Sequence, residues 1–220
     1  YEYNRSLEVK KDFARSLLVE DNISETSILK NALPVLSKDS VVQALLIQES
    51  NAEFLQEKIL TFKPCYNLHL SQLPLLRGAA PVHRAIMSGM TQTGWTIQRM
   101  VKKMDAGNII LQNSLNITET DTSNGLIDKL VQDCLLWLDK FLSNDYTELE
   151  QNEQLVTFAP LVKKEEGFLN FQQKSAKTLY NEYRAFSSWP GSFLNTKLGI
   201  IKVKECSLVK KSLPDCGDVL

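Results

Sequence analysis

Asn67 and His69 stand two residues apart at the end of a short apolar run, in the stretch Asn-Leu-His-Leu-Ser-Gln-Leu-Pro-Leu-Leu-Arg-Gly-Ala-Ala-Pro that covers residues 67–81. Side chains of a strand alternate between faces, so these two polar groups point the same way. Pro74 and Gly78 interrupt any regular ladder after them, and Pro81 suits the first turn of a helix. Two polar groups at the carboxyl end of a buried strand, followed by a loop and a helix start, describe the ligand crevice of an open α/β sheet. The plain alternative is a strand-to-helix loop carrying one surface histidine.

Positioning such a pair requires a sheet, and the flanking sequence supplies one. Val41–Gln48 is almost continuously apolar, as in a strand covered on both faces. Phe54, Leu55, Ile59 and Leu60 recur at helical spacing, and Pro64–Leu70 reads as the next strand. Strand, helix, strand is a right-handed crossover and implies a parallel sheet. A short helix over Pro81–Gly89 follows, then strands around Trp95–Val101 and Ile109–Ile117 that can form a hairpin about the turn Met104-Asp105-Ala106-Gly107. Residues 122–142 predict one core helix with Leu126, Ile127, Leu130, Val131, Leu135, Leu138, Phe141 and Leu142 on its stripe and Asp121 or Thr122 as its cap. A polar segment over 143–155 reads as a linker. Leu169–Phe171, a helix over 175–186 and two strands, Phe193–Leu198 and Ile200–Ser207, close the chain. Helices around 6–18 and 25–31 are expected upstream.

Composition sets the bounds. A hydrophobic fraction of 43 % and a charged fraction of 23 % over 220 residues suit a globular chain of one full domain and part of another. The net charge of −1 hides an asymmetry, because residues 151–220 carry ten Lys and Arg against seven acids. A polyanionic partner would therefore meet the C-terminal part. Cys65, Cys134, Cys206 and Cys216, spaced 69, 72 and 10 apart with two histidines in the chain, form no metal pattern and fit reduced thiols better than a disulfide framework. No apolar run is long enough to span a bilayer, so a soluble protein without membrane partners is expected.

The chain closely resembles the methionyl-tRNA formyltransferases within the folate-dependent formyltransferase family. The residues that carry the resemblance are Asn67-Leu68-His69, Ser71 with Leu73-Pro74, Arg77 to Pro81, Thr93-Gly94 with Thr96-Ile97, and Asp105-Ala106-Gly107. Thr157-Phe158-Ala159, Lys164-Glu165-Glu166, Arg184-Ala185-Phe186 and Trp189-Pro190-Gly191 continue it downstream. The Asn-x-His and Asp-x-Gly elements belong to all folate-dependent formyltransferases, and the downstream elements narrow the acceptor.

The resemblance implies a partial Rossmann-like catalytic domain over residues 1–145, a linker over 146–174, and over 175–220 the start of a tRNA-facing, OB-like β-barrel. It implies transfer of a formyl group from 10-formyltetrahydrofolate, the co-substrate, to the α-amino group of methionyl initiator tRNA, with Asn67, His69 and Asp105 as catalytic residues. Ser71, Gln72, Leu73 and Pro74 would form the folate loop, and no metal is implied. Asn67 and a protonated His69 would donate to the oxyanion of a tetrahedral intermediate, Asp105 would hold the ring, and His69 or a held water would shuttle the proton lost by the amine.

Partners are then the acceptor stem of initiator tRNA and the folate, for a monomer in the mitochondrial matrix of a eukaryote or the cytoplasm of a bacterium. His83 reads as a surface or packing residue. Lys163, Lys164, Lys202, Lys204, Lys210 and Lys211 read as solvated faces or as a weak phosphate-contacting surface. The chain departs from the family at Leu70, Gln72, Ser50 and Phe54, and the family's first strand is not recognisable before Val41, so an incomplete or divergent chain is expected. A transferase for an amino sugar or purine precursor, and an inactive binding protein of the same fold, are the alternatives.

Overall fold

The computed structural model describes residues 45–46, 64–197 and 199–209. The helices expected over 6–18, 25–31 and 52–60 lie outside these residues, as do Lys210, Lys211 and Cys216. A four-stranded sheet runs in the order β1 (Leu45–Leu46), β2 (Cys65–His69), β3 (Gln92–Arg99) and β4 (Ile109–Asn116). β1 and β2 pair in parallel, as the crossover requires. The parallel sheet does not continue: β3 runs antiparallel to β2, and with β4 in the expected antiparallel hairpin the sheet is mixed. Parallel strands need a connection long enough to travel back along the strand, usually a helix. Here the helix between β2 and β3, α1 (Pro81–Met87), has 7 residues and rises only about 10 Å. The chain turns at Gly89, where φ is +73°, and β3 enters beside β2 from the opposite end.

β3 is covered on both faces, and its two faces do different work. Trp95 and Ile97 point into the main core against α2 (Ser123–Leu135), which is capped by Thr122 through its side-chain oxygen and the Gly125 N–H. The Trp95 indole donates to Asp133 Oδ2 at 2.7 Å, and Asn113 Nδ2 donates to the same oxygen at 2.7 Å, which ties helix to sheet. Thr96 and Gln98, on the other face, lie opposite His69 and Asn67. The helix expected to run unbroken through 122–142 breaks at Leu136–Trp137, and α3 (Leu138–Leu142) continues it. The break directs Phe141 edge-on against Tyr66 of β2, with ring centroids 5.1 Å apart, and leaves Leu136 exposed.

The polar segment after α3 is strapped to the sheet. Ile109 and Leu149 exchange two backbone hydrogen bonds, and Arg77 and Ala159 continue the strap with N–H and C=O pairs to Thr157 and Arg77 respectively. α4 (Ala176–Ala185), which begins at the Ser175 cap, packs on α1, and Ala185 and Phe186 share the main core. β5 (Ser192–Thr196) and β6 (Gly199–Val203) form the expected antiparallel pair. Its contacts with the rest include a bridge from Phe168 to Phe193, a hydrogen bond from Leu169 N–H to the Phe193 carbonyl and, just past β6, one from the Tyr183 hydroxyl to the Lys204 carbonyl.

Candidate functional site

The register of β2 against β3 builds the floor of the site. Asn67 faces Gln98 and His69 faces Thr96 across the ladder, so all four side chains share one face. The turn after β3 returns Asp105 to this face. It can do so because residue 107 is glycine: a methyl group there would sit 1.6 Å from the Arg99 carbonyl oxygen. Asp105 itself takes the left-handed conformation, with φ +51°.

Asp105 is held at both carboxylate oxygens. Oδ2 accepts the Gly78 N–H at 2.8 Å, and Oδ1 accepts from Gln98 Nε2 at 2.8 Å. His69 Nδ1 lies 3.7 Å from Oδ1, close enough for electrostatic contact though too long for a direct hydrogen bond. His69 Nε2 is 2.9 Å from the Leu76 carbonyl, and a carbonyl partner requires the proton on that nitrogen. The ring is thus clamped between a carbonyl and a carboxylate, and it is buried. Asn67 differs, because its Oδ1 is buried without a partner in the protein. Gln98 Oε1 is in the same position on the opposing strand. Unsatisfied buried acceptors side by side are expensive unless a ligand or water completes them.

The loop 70–80 closes one wall, and its shape is set from inside. Ser71 Oγ donates to the Leu75 carbonyl at 2.6 Å, Thr96 Oγ1 donates to the Ser71 carbonyl at 2.7 Å, and Leu73 N–H donates to Thr96 Oγ1 at 3.1 Å. Ser71 and Leu73 are therefore buried, whereas Gln72 and Pro74 reach the surface. Gly78, at φ +121°, lets the backbone pass close to Ala159, whose carbonyl oxygen would lie 2.7 Å from any β-carbon. His83 lies half-buried on α1, and burial with the neighbouring Arg84 charge holds its ring below the usual histidine range. Lys163, Lys164, Lys202 and Lys204 are exposed. Among the described residues, no group of three or more His, Cys, Asp and Glu could hold a metal.

The structure thus brings Asn67, His69 and Asp105 to one face and adds Gln98, which bonds the Asp105 carboxylate from the strand facing Asn67. It also adds Gln151, whose side chain bonds the Asp105 turn from the strap. Neither glutamine lies in a recognisable motif. Gln98 becomes visible only with the β2–β3 register, and Gln151 only with the path of the strap.

Two family profiles match the chain: "Formyl transferase" over residues 26–134 and "Formyl transferase, C-terminal domain" over residues 161–220. The first begins upstream of Val41, where the resemblance first becomes legible. The methionyl-tRNA formyltransferase of Thermotoga neapolitana is 41 % identical over 176 residues, which cover 76 % of this chain and 55 % of that protein. That of Bacillus licheniformis is 31 % identical over 207 residues, 84 % of this chain and 65 % of that protein. The chain thus spans between about half and two thirds of the length of these relatives. Among solved structures, methionyl-tRNA formyltransferase from Clostridium thermocellum superposes with a TM-score of 0.69 at 14 % identity, covering 85 % of this chain and 80 % of that one. A sugar N-formyltransferase from Shewanella superposes with 0.64 at 19 % identity, covering 77 % and 71 %. At these identities both show the shared fold.

Proposed function

The chain belongs to the formyl transferase family, and we propose that it transfers the formyl group of 10-formyltetrahydrofolate to the α-amino group of methionine esterified to initiator tRNA. The observation that supports this reading most is Asn67, whose amide oxygen is buried with no hydrogen-bond partner, set on the same face as a clamped histidine and aspartate. Attack of the amine on a formyl carbon builds negative charge on the formyl oxygen. A fixed amide N–H aimed at that oxygen stabilises the charge as it develops. In this reading the Asn67 Nδ2 amide is that donor. The His69–Asp105 pair takes up the proton that the amine sheds: it passes through a held water to Nδ1, the ring nitrogen left unprotonated while Nε2–H bonds the Leu76 carbonyl, and Asp105 steadies the charge the ring gains.

Gln72 and Pro74 offer the outer surface of the loop to the folate, while Ser71 and Leu73 fix its shape from within. Residues 1–145 serve as the catalytic domain and 146–174 as the connecting strap. In this reading residues 175–220 open the tRNA-facing part: α4 docks it on the catalytic core, and the β5–β6 pair begins an OB-like barrel. The protein acts as a monomer on the acceptor stem, in a bacterial cytoplasm or a mitochondrial matrix.

The test is to incubate the 220-residue chain with 10-formyltetrahydrofolate and methionine-charged initiator tRNA and follow formyl-methionine, with His69→Ala as control. Transfer abolished by His69→Ala supports the reading. No transfer to the tRNA from a chain that unfolds cooperatively overturns it for this chain, and retained transfer to a small amino sugar identifies the acceptor class instead.

A further inference from the structure

Gln151 stands 46 residues after Asp105, on the strap, yet its side-chain amide reaches the Asp105 turn. Nε2 donates to the Asp105 carbonyl at 2.9 Å and to the Gly107 carbonyl at 2.7 Å. Oε1 accepts from Arg77 Nε at 3.0 Å and from Nη2 at 2.7 Å. These partners fix the amide's orientation, since a guanidinium has only donors to offer and a carbonyl only an acceptor. Arg77 is itself a fixed post: it is 1 % exposed, its backbone pairs with Thr157 and Ala159, and Nη2 also bonds Glu153 at 2.8 Å. Asp105 sits in a left-handed conformation, at φ +51°, that side-chain-bearing residues seldom adopt. Bonds to its backbone therefore help to hold it there, and the carboxylate follows the backbone.

We propose that Gln151 is a positioning residue for formyl transfer: from the strap, braced on Arg77, it fixes the 105–107 turn so that the Asp105 carboxylate faces His69. This rests on the formyl-transfer reading above. It gives the strap a part in the site, because a side chain outside the sheet sets the aim of a residue beside its reactive face.

The experiment uses the 220-residue chain with Gln151→Glu, Gln151→Met, Asp105→Ala and the double variant Asp105→Ala with Gln151→Met. Gln151→Glu keeps an acceptor for Arg77 but turns a carboxylate toward two carbonyls. Gln151→Met keeps the length and loses both sets of bonds. In each, kcat is expected to fall by roughly 10- to 100-fold with KM within about twofold, the scale of a misplaced catalytic group. The double variant should lose no more than Asp105→Ala alone, because residues acting through one another are not additive.

A second readout needs no turnover. The Gly78 amide proton, bonded to Asp105 Oδ2, should move toward its random-coil position in the ¹H–¹⁵N spectrum of both single Gln151 variants, as it should in Asp105→Ala. If the wild-type chain transfers no formyl group, the reading of function fails while the Gly78 signal still reports whether Gln151 holds Asp105. An unmoved Gly78 amide in whichever Gln151 variant folds, or losses that multiply in the double variant, overturns the proposal.

Discussion

The Asp105 side of the site and the β5–β6 hairpin are built on opposite plans. Around Asp105, buried and half-buried polar groups bond between different segments: Gly78 to Asp105, Gln98 to Asp105, Gln151 to Gly107 and Arg77 to Gln151. In the hairpin the strands pair chiefly with each other, and Ile200 and Ile201 are 70 % and 49 % exposed. The first region gets its shape from specific partners, and few of its residues can change without moving another. The second gets its shape from local pairing, and its outward side chains carry little of the fold's energy. Substitutions should therefore be felt very unequally.

The largest effect belongs to Asn67, whose buried amide oxygen has no hydrogen-bond partner. Asn67→Ala removes a preorganised donor, with an expected loss on the order of 10² to 10³ in kcat and little change in thermal midpoint. Steady-state kinetics beside a melting curve separates the two. A rate within threefold of wild type would remove Asn67 from the mechanism and leave its buried oxygen without a functional account.

Gly107→Ala comes next and acts on structure. The new methyl group would meet the Arg99 carbonyl at 1.6 Å, so the turn must open, with a cost of about 2 to 4 kcal/mol judged from other cases of forced core rearrangement. Denaturant unfolding measures it. A cost below about 0.5 kcal/mol would show that the turn is pliable and would remove the rigidity from this side of the comparison.

How far the sequence alone discloses this arrangement depends on range. Asn67 and His69 share a face because strand periodicity is local, and the Thr122 cap and the α2 stripe are equally local. Asp105 is reached through a resemblance, and only its glycine neighbour at 107 hints that the chain can turn sharply there. The antiparallel entry of β3 depends on how far a 7-residue helix can carry the chain, which periodicity does not encode. The split at Leu136 is equally hidden, because α3 keeps the apolar stripe while redirecting Phe141 onto Tyr66. Gln151 is the least legible, since a glutamine in a polar segment has the composition of a linker whether or not it reaches back to a turn.

Acid should loosen the anchored regions through their carboxylates. The Arg84 hydrogen bond holds Glu166 below the ordinary glutamate value near 4.5, the Arg99 bond does the same for Glu148, and the Arg77 and Lys103 bonds bring Glu153 down to about 2. A carboxyl depressed in the folded state contributes stability that is complete above its unfolded value and is lost as the pH falls through its folded one. Stability should therefore be level above about pH 5 and decline below it. Glu166→Gln should lessen the slope of that decline, which urea unfolding at stepped pH can follow. An unchanged slope would mean that the Arg84 bond is not kept in solution.

The smallest effect is expected at Ile200, and it tests the other side of the comparison. Its side chain is 70 % exposed on a strand whose pairing is made by the backbone, so Ile200→Thr keeps the β-branched shape and removes little buried surface. A change within about 0.5 kcal/mol is expected, as for surface positions generally, with kcat for formyl transfer unaltered. Because β5 is joined to the rest through Phe168 and Leu169, a loss confined to this hairpin should leave the Trp95 core melting at its wild-type temperature. A cost above about 2 kcal/mol would be that of a buried aliphatic side chain, and Ile200 would then have to be covered in solution. Tryptophan fluorescence alone would not decide the matter, since Trp189 lies close to the hairpin and Trp95 in the core. Amide exchange read strand by strand would.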